Sequence, residues 1–301
     1  MTRRLGEGTF ITDGGMETTL VFHHGFELPH FASFVLLDDS AGRDAMRAYY
    51  RSYIDIAEAR EVGIILDTPT WRANPDWGER LGYDPEALAE VNRRAVALLD
   101  ELRSPRVLIS GCIGPRGDGY RVDTVMSAEE AERYHSTQIE VFAETSADLV
   151  SALTLTYVDE ATGIVRAAKG AGLPAVISFT VETDGRLPSG QSLGEAIEQV
   201  DAETVRAAAY FMVNCAHPTH FADVLEPAPW LERLRGVRAN ASSKSHAELD
   251  EAEELDQGDP AELAGAYRDL SNRLPNLNVV GGCCGTDHRH VDAVCAAVTP
   301  G

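Results

Sequence analysis

The sequence predicts one α/β domain folded as a closed (β/α)8 TIM barrel, and three observations predict it. Eight short β-branched or apolar runs recur along the 301 residues, segments of helical period lie between them, and glycine and polar residues cluster just past the runs. The runs are Thr9–Thr12, Val62–Asp67, Arg106–Ser110, Leu149–Leu155, Ala175–Thr180, Tyr210–Asn214, Val237–Ala239 and Leu277–Val280. Among the intervening segments, Ala41–Glu61, Pro85–Leu102, Ser127–Thr145, Thr219–Arg235 and Pro260–Arg273 carry apolar positions three and four apart. Ser127 and Glu130 have capping-box spacing, and Asp259-Pro260 sets a cap before a first-turn proline. An open nucleotide-binding sheet would place Gly-x-Gly-x-x-Gly after its first strand, and Asp13-Gly14-Gly15-Met16 is not that pattern. The length is somewhat above the roughly 250 residues of a typical barrel. No stretch reads as a linker, so residues 1–301 are assigned to one domain.

Composition narrows the function. Asp and Glu outnumber Lys and Arg 48 to 26, and a net charge of −22 repels polyanions, which excludes a nucleic-acid partner. No basic start with an apolar run follows Met1, and no run approaches the roughly 20 apolar residues of a membrane span. A cytoplasmic protein without membrane contact is expected, with its oligomeric state left open. Five cysteines, Cys112, Cys215, Cys283, Cys284 and Cys295, are too few and too scattered to staple this chain, so metal binding or catalysis becomes the question.

Barrels of this kind do chemistry on the loops at the carboxyl ends of their strands. There the sequence places Asp13 after the first strand, Asp67, Thr68 and Thr70 after the second, Cys112 after the third and Glu182 after the fifth. Asn214 and Cys215 follow the sixth strand, Asn240 the seventh, and Cys283 and Cys284 the eighth. In Gly281-Gly282-Cys283-Cys284-Gly285 the flanking glycines let the chain turn sharply, so that adjacent cysteines converge. Cys215 ends a strand two positions away in the barrel, about 10 Å at one strand spacing each, which inward-leaning side chains can close. Three thiolates give a tetrahedral Zn²⁺ one open position, the mark of a catalytic site. A substrate thiol entering it is held as a thiolate and can attack an activated methyl group. Cys112 reads as cavity lining and Cys295, on a helix, as a small buried hydrophobe. His217 and His220 fall outside the ligand set, which three thiolates already fill.

Asp13-Gly14-Gly15-Met16-Glu17-Thr18, Val213-Asn214-Cys215 and Gly281-Gly282-Cys283-Cys284-Gly285, in that order, resemble the homocysteine S-methyltransferase family across nearly the whole chain. The resemblance implies a (β/α)8 barrel with Zn²⁺ held by Cys215, Cys283 and Cys284. It also implies a small-molecule thiol acceptor, homocysteine, and a small methyl donor, with S-methylmethionine or S-adenosylmethionine ahead of betaine. The chain has no room for a cobalamin domain. Asp13 becomes a substrate-positioning carboxylate by the resemblance, and Thr68, in Thr68-Pro69-Thr70-Trp71, lines the pocket together with Asn214 and Asn240. Trp71 and Trp77 are candidates to pack on a cationic donor.

One departure stands out. The family's glutamate at the end of the fourth strand, in a Glu-Thr-x-Pro context, corresponds here to Leu153 in Leu153-Thr154-Leu155-Thr156. Its loss removes a charge-assisted hydrogen bond of about 1.5 to 3 kcal/mol to a substrate ammonium. Either Glu182 supplies the missing carboxylate, or the same chemistry acts on a thiol without an α-amino group. The rival readings are a zinc hydrolase, for which three thiolates make bound water insufficiently acidic, and a non-catalytic zinc-binding barrel.

Overall fold

In the computed structural model, which describes residues 8–123, 125–251 and 254–299, the eight apolar runs form parallel strands that close a barrel in sequence order. They are β1 (Phe10–Ile11), β2 (Gly63–Asp67), β3 (Val107–Ile113), β4 (Leu149–Leu155), β5 (Ala175–Phe179), β6 (Tyr210–Asn214), β7 (Leu234–Ala239) and β8 (Val279–Gly282). Pairing of Phe10 with Val279 and of Ile11 with Val280 joins β1 to β8 and leaves no open edge. The strands are buried on both faces, as near-continuous apolar runs in a parallel sheet require.

Seven helices of more than ten residues cover the barrel: α1 (Ser40–Ala59), α2 (Pro85–Asp100), α3 (Ala128–Ala143), α4 (Val158–Ala171), α5 (Leu193–Thr204), α6 (Pro260–Arg273) and α7 (His288–Val298). Six of the seven starts are set by side chains that accept orphan N–H groups, α4 being the exception. Asp39 receives Gly42 N–H at 2.9 Å, and Ser127 with Glu130 completes the expected capping box on α3. The expected helix over Thr219–Arg235 does not form. Only Pro218–Phe221, Ala222–Val224 and Pro229–Glu232 make short helical turns, because Pro227 and Pro229 lack N–H donors and force extended backbone before them. Strand limits also differ from expectation, by more than one residue in β3, in β7, which begins at Leu234, and in β8, which begins at Val279. β3 runs on to Ile113, so Cys112 lies within the strand, and β8 runs on through both glycines before Cys283.

The interior of the barrel divides along its axis. Phe10, Ile65, Leu108, Leu149, Val176, Tyr210, Met212 and Val279 form an apolar plug. Further along the strands stand Asp67, Ser110, Ser151, Ser178, Asn214 and Arg238, all buried. Packing is therefore concentrated at the amino ends and polar chemistry at the carboxyl ends. The acidic segment Glu248–Asp256, expected as a solvated helix face or loop, is a short helix over His246–Asp250 followed by residues that border the central cavity. Its Ala252 and Glu253, like the Met1–Glu7 segment read for targeting, lie outside the described residues. Among the described residues, no helix is long and apolar enough to cross a membrane.

Tyr267 on α6 ties two strands together at the carboxyl rim. Its buried hydroxyl donates to Gly281 O at 2.6 Å on β8 and accepts Ala239 N–H at 2.9 Å on β7. Tyr267→Phe is expected to lower stability by about 1–3 kcal/mol, the cost of stranding buried polar groups. Urea unfolding checks this, and an unchanged midpoint would show that the hydroxyl does not hold the rim.

Candidate metal centre

β6 ends at Asn214, and the next residue, Cys215, adopts φ +57, a left-handed conformation that costs strain for any residue with a Cβ. Hydrogen bonds from all sides hold it there. Cys215 N–H donates to Arg238 O at 3.1 Å, and its carbonyl accepts from Asn240 Nδ2 at 3.0 Å and His246 Nε2 at 2.6 Å. The backbone is thus over-determined by β7 and the segment after it, and the thiol has a fixed direction.

The cysteine pair is fixed by close approach of two backbone segments. Cys283 N–H donates to Ala239 O at 2.8 Å, Gly15 N–H donates to Thr286 O at 3.0 Å, and Gly285 N–H donates to Thr18 Oγ1 at 3.3 Å. A Cβ on Gly15 would stand 2.6 Å from Cys283 O, and a Cβ on Gly14 would stand 2.8 Å from Thr286 O. Glycine is required at these points so that residues 13–18 can lie against the turn that carries the two thiols.

The ligand-competent sulfurs of Cys215, Cys283 and Cys284 all lie within 4.8 Å of one another, and they are the one such group of His, Cys, Asp or Glu side chains among the described residues. Cys215 Sγ and Cys284 Sγ are 3.6 Å apart. Sulfurs held tetrahedrally at about 2.3 Å from one ion stand roughly 3.8 Å from each other, so this donor set fits a thiophilic metal ion without rearrangement of the backbone. The three thiols share protons unequally. Hydrogen bonding from Cys215 and Cys284 holds the Cys283 thiol well below its ordinary range, with help from the Arg238 charge, and the same contacts push Cys215 and Cys284 well above theirs. Cys283 is therefore the sulfur of the three most readily ionised.

Two groups orient these sulfurs. Tyr120 places its hydroxyl 3.0 Å from Cys215 Sγ. Asn214 accepts Thr154 N–H at 2.8 Å and Ser178 Oγ–H at 2.7 Å on Oδ1, which turns its Nδ2 toward Thr154 Oγ1 at 2.9 Å and Cys283 Sγ at 3.9 Å. Thr154 adopts φ +63 at a register shift in β4, and the Asn214 amide satisfies the backbone N–H left over there.

A cavity of about 550 Å³ opens beside the thiols. Cys215, Cys283, Cys284, Asp13, Thr68, Asn214 and Asn240 all border it, as does Cys112. Glu182 does not. It lies in the turn after β5, with its carboxylate 3.6 Å from His246 Nδ1, and it is His246 that faces the cavity. Glu182 is thus not in position to replace the carboxylate absent at Leu153, whose side chain lines the cavity wall. The Thr68 hydroxyl is already engaged, accepting Cys112 N–H at 2.9 Å and lying 2.6 Å from Thr70 Oγ1. Trp71 and Trp77 both stack on Arg72, each ring centroid 4.0 Å from the guanidinium carbon, so a protein cation occupies a face of each. His217 caps the Pro218–Phe221 turn and His220 Nε2 donates to Ser243 O at 2.8 Å, and neither borders the cavity.

Charge is arranged in depth. Arg238, buried on β7, donates to both Asp13 and Asp67. Burial lifts the Asp13 carboxyl to about 7 even against the pull of Arg238, while Tyr49 O–H donates to it at 3.1 Å. Sequence reasoning missed Arg238, although it lies on β7 two residues before Asn240, which directly follows the strand. Glu17, within Asp13-Gly14-Gly15-Met16-Glu17-Thr18, and Tyr120, whose loop carries no periodic signal, are likewise candidate functional positions that the sequence pattern does not single out.

The sequence pattern of the homocysteine S-methyltransferase family matches residues 10–298, and the chain belongs to that family. Among solved structures, the metallated form of homocysteine methyltransferase MmuM from Escherichia coli aligns at a TM-score of 0.72 and 20% identity over 96% of each chain. The oxidised form of the same protein gives 0.74 and 19% over 96% of each chain. At such identities the likeness speaks for the fold. No curated protein sequence gives a match.

The contact between the two rim segments yields a direct expectation. Gly15→Ala should cost about 1–3 kcal/mol through overpacking and should weaken metal retention as well, because the clash is with the Cys283 carbonyl. Thermal melting with metal analysis checks both, and wild-type values for each would refute this account of the rim.

Proposed function

We propose that this member of the homocysteine S-methyltransferase family transfers a methyl group from a small sulfonium donor to the thiol of homocysteine, giving methionine, with zinc as its metal. The observation that carries the reading is the convergence of three cysteine sulfurs from the ends of β6 and β8 on the wall of the cavity. Cys215, Cys283 and Cys284 would hold the ion, and when bound it would keep the acceptor sulfur ionised at neutral pH.

The protein's own groups supply the rest. Tyr120 and Asn214 fix the directions of the ligand sulfurs, and Asn240 and His246 hold the strained backbone at Cys215. Asp13, Thr68, Asn214 and Asn240 border the space where acceptor and donor meet. The acidic side chains on the cavity wall favour a cationic donor. In the transfer a carbon–sulfur bond of the sulfonium breaks as one forms to the acceptor sulfur. The donor leaves as a neutral thioether, and the acceptor's thiol proton has already passed to solvent. Leu153 on the wall favours a second reading, the same transfer to a thiol without an α-amino group.

Zinc-loaded protein incubated with homocysteine and either S-methylmethionine or S-adenosylmethionine should form methionine, detected by mass spectrometry, and Cys283→Ala should abolish it. A zinc-loaded protein that yields no methionine from either donor would sink homocysteine as the acceptor. Zinc binding itself should depend steeply on pH. Cys215 and Cys284 are held above their ordinary range as thiols and must each lose a proton to ligate, whereas Cys283 is held below its own and ionises first. Affinity should therefore rise with pH, by about a hundredfold per unit near neutrality for two protons released per ion. Chelator competition at several pH values measures the slope, and a flat profile would rule out this protonation pattern.

A further inference from the structure

An α-amino thiol brings an ammonium group into the cavity with its sulfur, and burying that cation requires an anion the protein has not already neutralised. The deep carboxylates are spoken for. Asp13 and Asp67 share the guanidinium of Arg238, with Tyr49 also bonded to Asp13. At the mouth, Asp256 pairs with Lys244 at 3.2 Å, and Glu254 is exposed to solvent. Asp118 is half-buried with no ion-pair partner within 4.0 Å among the described residues, but Arg72 donates to its carbonyl at 2.7 Å and Tyr120 N–H donates to its carboxylate at 3.2 Å.

Glu17 differs from the ion-paired Asp13, Asp67 and Asp256 and from the exposed Glu254. It is half-buried in the cavity wall, and among the described residues no Lys, Arg or His nitrogen lies within 4.0 Å of its carboxylate. Its side-chain partner is a neutral hydroxyl, Ser33 Oγ–H, donating to Oε1 at 2.8 Å. Its place beside the thiols is fixed by neighbours on either side, since Gly15 and Thr18 both hydrogen-bond to the Cys283–Thr286 turn. Burial, with the nearby Cys283 sulfur as a lesser cause, raises its carboxyl above the ordinary range against the opposing pull of the Ser33 hydrogen bond and the more distant Arg238.

We propose that Glu17 is the carboxylate that receives the α-ammonium of the acceptor, so that this chain selects amino thiols from the β1 side of the cavity and not from the ends of β4 or β5. The inference rests on the reading of the cavity as a thiol methyltransferase site. Ser33 holds the carboxylate in orientation, and Leu153 opposite contributes only hydrocarbon.

Calorimetric titration of zinc-loaded wild type and Glu17→Gln with homocysteine and with 4-mercaptobutanoate, the same thiol acid without the ammonium, tests this. Wild type should bind homocysteine about tenfold or more tightly than the analogue, and Glu17→Gln should erase that preference while leaving the analogue's affinity unchanged. A variant that keeps the wild-type preference overturns the role of Glu17 and leaves homocysteine standing as the acceptor. Equal weakening toward both ligands shows a structural role and also overturns it. A wild type that binds both alike overturns ammonium recognition and the choice of homocysteine together.

Discussion

Residues 13–18 and 281–286 come from opposite ends of the chain, yet they lie so close that glycine is required at the points of contact. The closeness follows from β1 pairing with β8, which brings the first and last rims side by side. The two adjacent thiols and the cavity-bordering residues Asp13 and Glu17 are therefore parts of one joint. Displacing either segment by the width of a methyl group moves the cysteine pair, the acidic side chains and the closure of the barrel together. Cys215 reaches the same point from β6, held in a left-handed conformation by its neighbours. A metal ion bound by all three sulfurs would link β6 to β8 across β7, so its binding energy would also strengthen the rim.

Electrostatics extend this organisation inward. A lone buried guanidinium would be costly, and so would two lone carboxylates, but Arg238 between Asp13 and Asp67 compensates most of both. The cluster ties β7 to the rims of β1 and β2 at the cavity wall. Its charges are consumed in structure, which leaves ligand charge to be met by other groups on the cavity wall. The strongly acidic surface of the chain is a separate matter of solvation, and the cavity's behaviour follows from a handful of residues within it.

Much of the fold was legible because the barrel imposes its periodicity on the sequence. Eight apolar runs, separated by segments of helical period, fall close to the eight strands, and the Pro260–Arg273 helix begins and ends where its cap and pattern place it. The stretch Thr219–Arg235 misled because helical spacing of apolar residues persists across Pro227 and Pro229, whose backbone constraints override it. The cysteine cluster was legible because strand ends share a rim, and residues next to strands inherit that position. Glu182 was not, since two residues of turn suffice to swing a side chain behind His246. Glu17 and Tyr120 depend on how loops fold over the barrel mouth, and no periodic signal reports that.

The central claim is that three cysteine sulfurs hold a metal with room for one further sulfur, and X-ray absorption at the zinc K-edge reads that coordination directly. The account predicts three sulfur neighbours and one lighter atom for the zinc-loaded protein, changing to four sulfurs when homocysteine is added. A first shell with fewer than three sulfurs, or one unaltered by a saturating thiol acceptor, would contradict it.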